Sequence, residues 1–327
     1  MPANEYVREY LQYGGQAIPE GVMMRSPRFF SVACRAPSGE ILVRTEAIEK
    51  TWIGRQKWLK WPFLRGSLAI LDSMALGTRA MRFASKVQLS AADETGQAPP
   101  DKIQDGAIGI ALFGGLAIGL ALFVFLPNLL AEQLSRVGIH SGLYKNLATE
   151  LIKIVFFIGY LSAIGQMPEI RRVFQYHGAE HKAINTLEAL EDLSADNCRA
   201  QTRLHPRCGT SFAIIVLLLG LLVFTFVPRY PIPNLPMLLN VVVRVGVEFL
   251  ILPFIAGIAY ELIRFAGKFK NAEFVNVLFF PGLMTQYLTT REPDDTQIEV
   301  ALTALKAVVA AEKGEAELGD QAVKAAS

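Results

Sequence analysis

The sequence predicts a mainly α fold: a polytopic integral membrane helical bundle of about four spans, with a cytoplasmic N-terminal region that holds a β-hairpin and an interfacial helix. Three observations carry this. The chain of 327 residues is 52% hydrophobic and only 19% charged, where a soluble domain has about a quarter of its residues charged. The apolar excess is concentrated in charge-free runs; Gly106 to Ala131 gives 26 residues without a charge, and about 20 suffice to cross a bilayer. Ahead of residue 50 the apolar residues instead come in short stretches broken by turn residues. A net charge of +2 gives no electrostatic footprint for nucleic acid.

The elements follow in order. "RFFSVACRA" and "EILVRTEAI" flank "PSGE", which predicts a hairpin over 28–48. "GGQAIPEGVMMRSP" at 14–27 precedes it. This loop is either a tight chain reversal or a turn that offers backbone N–H groups to an anion, and in the second case Gln16, Glu20 and Arg25 line the substrate side. All three tryptophans, Trp52, Trp58 and Trp61, lie among Arg55, Lys57, Lys60 and Arg65. Indole rings settle at the headgroup level and basic residues favour anionic lipid, so this is an interfacial anchor. Pro62 then opens a helix that lies on the membrane or packs under the spans. Residues 87–105 read as a linker.

The second span, about 148–166, begins with Glu150 and Lys153, and its uncharged run from Ile154 to Pro168 has 15 residues. The third, Cys208 to Pro228, is uncharged over 21. The fourth region, about 236–266, carries Arg244, Glu248, Glu261 and Arg264 around Pro253, and reads as a tilted or kinked helix or a re-entrant pair. Residues 267–327 form a polar tail with a short amphipathic helix near 296–312. The organisation is thus an N-terminal region 1–105, a transmembrane region 106–266 with a loop at 167–210, and the tail.

Basic residues are concentrated on the long-loop side, which the positive-inside rule makes cytoplasmic. The start of the chain lacks an apolar signal segment. Both termini are therefore expected in the cytoplasm. Cys34, Cys198 and Cys208 are too scattered for a disulfide framework, which leaves Cys208 with a thiol available to a metal.

Four histidines serve the whole chain, and three fall between 177 and 205. In "QYHGAEHKAIN", a helix over 169–190 continuing from span two puts His177 and His181 one turn apart on one face. Glu180 sits close to that face. This is H-x-x-E-H, a metalloprotease signature: two neutral imidazoles hold Zn²⁺ without cancelling its charge, and the carboxylate takes a proton from water. The motif lacks a third ligand. His205 and Cys208 of "LHPRCGTSF", Glu188, Glu191 and Glu261 are the candidates. A set using His177, His181, His205 and Cys208 would be closed and structural; three ligands and an open position would be catalytic. The ordinary roles weigh beside these. Glu180 can be a plain helix carboxylate, Glu261 can pair with Arg264, and Arg244 with Glu248 form an i, i+4 pair.

Five blocks in order, "GGQAIPEGVMMRS", "YHGAEHKAIN", "HPRCGTSF", "AGIAYELIRFAGK" and "PGLMTQYLTTREPDDTQIEVA", resemble the YqhQ-like family over residues 12 to 310. The family comprises bacterial multi-span membrane proteins of unknown function, described as predicted metal-dependent enzymes. The resemblance implies a bacterial cytoplasmic (inner) membrane location and a divalent metal.

Two functions follow as expectations. One is a zinc-dependent membrane hydrolase with its site at the cytoplasmic face, Glu180 as general base, and a lipid-like or membrane-tethered substrate. The other is a non-enzymatic transporter or scaffold whose His/Cys cluster is a structural metal site.

Overall fold

The computed structural model describes residues 13–48, 64–90, 110, 113–232, 234–268, 273–314 and 318–323. The tryptophan anchor and most of the linker lie outside these residues. The helices are α1 (Leu64–Ser90), α2 (Phe113–Val137), α3 (Gly142–Ile164), α4 (Pro168–Glu188), α5 (Ala195–Ala200), α6 (Gly209–Phe224), α7 (Met237–Lys268), α8 (Glu273–Thr289) and α9 (Asp295–Lys313). The strands are β1 (Gly14–Ile18), β2 (Gly21–Arg25), β3 (Phe29–Arg35), β4 (Ile41–Ala47) and β5 (Gly319–Val323).

The expected hairpin is β3–β4, with Phe29 opposite Ala47 and Arg35 opposite Ile41. It belongs to a larger antiparallel sheet in the order β1-β2-β3-β4-β5. The loop at 14–27 is itself a hairpin that reverses between Ile18 and Gly21. Pro19 and Glu20 make the turn, and Glu20 takes a left-handed φ of 56°. A non-glycine residue there costs about 1–2 kcal/mol. The Glu20 carboxylate accepts both the Nε and an Nη hydrogen of Arg172, the latter at 2.7 Å, which ties the turn to Arg172.

Both faces of the sheet are covered, which explains why successive residues are apolar at Val22–Met24 and at Val32–Cys34. Side chains alternate across a strand. Val22, Met24 and Ala33 face α4 and α9, beside Tyr176, Ala183 and Leu305. Met23, Val32 and Cys34 face α1, beside Leu76, Ala80 and Phe83. The N-terminal strands, the loop helix and the C-terminal helix and strand thus close into one α/β/α unit. The amphipathic helix near 296–312 is α9, and Asp294 and Gln297 start it with a capping box.

Three helices are long and apolar enough to cross a membrane: Phe113–Val137, Gly142–Ile164 and Leu239–Phe265. The expected third span, α6, has 16 residues. At 1.5 Å per residue it is about 24 Å long, short of a core of about 30 Å. Three such helices, not four, are present among the described residues. The fourth region is a single helix, α7, with Pro253 inside it.

The reading of a polar tail from 267 needs correction. Residues 273–289 form α8, which packs along α6. A Cβ on Gly282 would lie 2.9 Å from Cβ of Ser211, so the two helices approach as closely as backbones allow. Lys268 and Lys270 flank this apolar run and obscured it.

Candidate metal centre

The helix bearing H-x-x-E-H does not run on from α3. The chain turns at Gly165–Met167, and Pro168 starts α4 at its first position, where the missing N–H would have had no helical partner. On α4, His177 and His181 are one turn apart and their ring centroids are 4.4 Å apart.

Each ring is fixed by a backbone carbonyl. His177 Nδ1 lies 2.8 Å from the Thr289 carbonyl, and His181 Nδ1 lies 2.6 Å from the Arg203 carbonyl. A carbonyl only accepts, so both Nδ1 atoms carry the proton and both Nε2 atoms are left for a ligand. This is the arrangement that orients metal-binding histidines. His177 Nε2 is 3.1 Å from Cys208 Sγ. One ligand atom each from His177, His181 and Cys208 lie within 4.8 Å of one another.

Cys208 is the N-cap of α6, and its sulfur accepts from the Thr210 N–H at 3.4 Å. A helix N-terminus favours thiolate. Burial alone would raise the thiol, but the His177 and His181 imidazoles hold it well below its ordinary range. Burial would likewise lower His177, but the Cys208 sulfur and Glu180 raise it to about 9.

Small residues and polar side chains build this geometry. Gly178 lies against the Arg291 carbonyl, and any side chain there would collide with it. That contact brings Thr289 over His177. On the other side, α4 holds the segment before Cys208 by its carbonyls. Lys182 Nζ donates to Arg199 and Gln201 at 2.9 and 2.8 Å, and Asn185 Nδ2 to Thr202 and Leu204 at 2.8 and 3.1 Å. Gln286 of α8 accepts from the His205 N–H and donates to the His205 carbonyl. Lys182, Asn185, Gln286 and Thr289 were not singled out from sequence. The H-K-x-x-N spacing was the available signal for the first two; Gln286 and Thr289 come from a helix read as tail.

Glu180 is buried, 5% exposed, and lies under β1. A Cβ on Gly15 would be 2.8 Å from Glu180 Cγ, so only glycine fits there. The Gly15 N–H donates to the carboxylate. Burial raises Glu180 above the usual carboxylate range, while His177 and His181 pull it back down. The carboxylate therefore stands beside the three-residue group without belonging to it.

The other expected residues fall elsewhere. His205 is buried, but its Nε2 faces Glu188 at 3.2 Å, and Glu188 also accepts from Arg207. Burial lowers His205 to about 4. The closed four-residue set is therefore not brought together. Glu261, on α7, is outside the group, and Glu191 accepts from Gln201 instead. Gln16 lies on the opposite sheet face from Gly15, with its amide against Gly77 of α1. Glu20 is held by Arg172, and Arg25 lies 3.8 Å from Asp72. None of these three joins the His177 group.

The donor set fits zinc. Two imidazole nitrogens at about 2.0 Å and one thiolate at about 2.3 Å around a tetrahedral ion are about 3.3–3.6 Å from one another, within the observed spread.

The model of the family described as "Protein of unknown function (DUF1385)" matches residues 61–311. "Uncharacterized protein YqhQ" of Bacillus subtilis (strain 168) is 34% identical over 297 residues, covering 89% of this chain and 90% of that protein. No solved structure matches. On these matches the chain belongs to the DUF1385, YqhQ-like family.

Proposed function

We propose that the protein is a zinc-dependent hydrolase of the bacterial cytoplasmic membrane, with His177, His181 and Cys208 as ligands, Glu180 as general base, and the site at the cytoplasmic face. One observation carries the reading: two imidazole Nε2 atoms, freed by carbonyls on both Nδ1 atoms, converge with a thiolate beside a buried carboxylate that is not itself a ligand. Three protein ligands leave a fourth position open, as in catalytic rather than structural sites.

A bound zinc ion would supply Lewis acidity and a water made acidic near neutral pH. Glu180 holds the proton. Its carboxylate is raised by burial, which brings it closer to the range in which one group can accept and then return a proton. The Gly15 N–H aims it. His205 stays neutral behind Glu188 and keeps the Cys208 segment in place through Gln286.

The location suggests a substrate that is lipid-like or tethered to the membrane. The cytoplasmic orientation rests on the Arg and Lys of the long loops, and the three apolar helices support a membrane location. The zinc-loaded full chain, incubated with a bacterial lipid extract, is expected to give products that gain the elements of water. Chelation should abolish them and zinc restore them. Products that persist after chelation would contradict the assignment.

A second reading rests on Cys208 and His177 at 3.1 Å, a thiolate–imidazolium pair of the kind that attacks carbonyls. Cys208 is only 7% exposed, which favours a ligand over a nucleophile. Alkylation that destroys activity in metal-free protein would favour this second reading.

A further inference from the structure

We propose that the spans hold a second binding site, for a neutral lipid alcohol whose hydroxyl donates to Glu150. The site is a cavity of about 140 Å³ between α2, α3, α6 and α7. Its walls are Phe123, Val216, Gly220, Phe224, Phe249 and Leu252, with Glu150, Lys153 and Glu248 on one side. Phe249 is 50% exposed and Leu252 36%, so the cavity meets the lipid-facing surface. An apolar chain can enter from there.

Ionisable groups at this depth are expensive and mark function unless they are paired. Most here are paired. Lys153 donates to Glu150 Oε1 at 2.8 Å and to Glu248 Oε2 at 3.0 Å, and its ammonium faces the Phe224 ring. Arg244 uses its guanidinium on Glu248, Asn146 and the Phe224 carbonyl. Glu150 is paired through one oxygen only. It is 2% exposed, and among the described residues its Oε2 accepts no hydrogen bond. A Cβ on Gly220 would lie 3.9 Å from that oxygen, so the absent side chain at 220 opens the cavity onto it. An acceptor that faces an apolar cavity without a donor favours a ligand that brings one.

Charge decides which donor fits. The ion pairs at the cavity join two cations, Lys153 and Arg244, with two carboxylates, Glu150 and Glu248. Their formal charges balance. An amine headgroup would add an uncompensated charge in a low-dielectric site. An anionic headgroup would find no free donor, since Lys153 and Arg244 are engaged. A hydroxyl adds no charge and brings the missing hydrogen. The apolar walls then take the chain.

The test uses the full-length protein in lipid nanodiscs and a decanol carrying a photoreactive diazirine. Labelling is expected to saturate and to fall on residues 216–224 or 245–252. Unlabelled decanol should compete at least tenfold better than decane or decylamine. Gly220→Val, which puts a side chain beside Glu150 Oε2, should cut labelling at least tenfold while keeping the wild-type melting temperature. Should that variant fail to fold, Val216→Phe fills the same space from the next turn and carries the same expectation. Non-saturable labelling, equal competition by decane, stronger competition by decylamine, or full labelling of a folded cavity-filled variant would each overturn the proposal.

Discussion

Glu180→Gln is expected to leave zinc bound at the wild-type ratio and to lower hydrolysis by about 10²–10⁴-fold, the range for loss of a positioned general base. The amide matches the carboxylate in shape and keeps an acceptor for the Gly15 N–H. It cannot take up a proton. Because burial already raises the Glu180 carboxyl, a neutral amide there should not unfold the protein. Paired measurements of zinc content and turnover on the same preparation check this. Unchanged turnover would reduce Glu180 to packing against β1. Loss of zinc together with turnover would make it a ligand.

His181→Ala is expected to remove stoichiometric zinc, and Cys208→Ala to do the same, each lowering affinity by at least 100-fold. His205→Asn and Glu261→Gln should keep their zinc, since neither residue belongs to the converging group. The wild-type affinity should also depend on pH with a defined sign. In the metal-free protein His177 titrates at about 9, so near neutrality its Nε2 carries a proton that zinc must displace. Affinity should therefore rise about tenfold per pH unit as pH climbs toward about 9, then level off. Cys208 adds less slope than an ordinary thiol would, because His177 and His181 hold its thiol well below its ordinary range. Titrations with a competing chelator at several pH values measure both effects. An affinity that is flat with pH, or a His181→Ala protein that retains its metal, would remove these ligands from the account.

The helical periodicity of α4 made the His177–His181 pair legible in sequence, because an i, i+4 spacing fixes a shared face whatever surrounds it. The choice among His205, Cys208 and Glu261 was not legible. It depends on Gln286 and Glu188, which clamp His205 from 81 and 17 residues away. Gln16, Glu20 and Arg25 are polar residues in a glycine-rich stretch, and nothing local shows that β1 turns Gly15 rather than Gln16 toward α4. Burial of β2 and β3 on both faces was not read from the sequence, and a partner strand more than 270 residues away left no local trace. In α6, a charge-free run of 21 residues read as a full span. Its helix begins only after the Cys208 cap and ends at Phe224, with Cys208 beside His177 at one end and the Phe224 carbonyl accepting from Arg244 at the other.

The most direct measurement is zinc-edge X-ray absorption on the full-length zinc-loaded protein. The account predicts one sulfur at about 2.3 Å, two imidazole nitrogens at about 2.0 Å, and one further oxygen that exchanges with added small anions. A shell without sulfur, or one closed by a third imidazole with no exchangeable position, would contradict it.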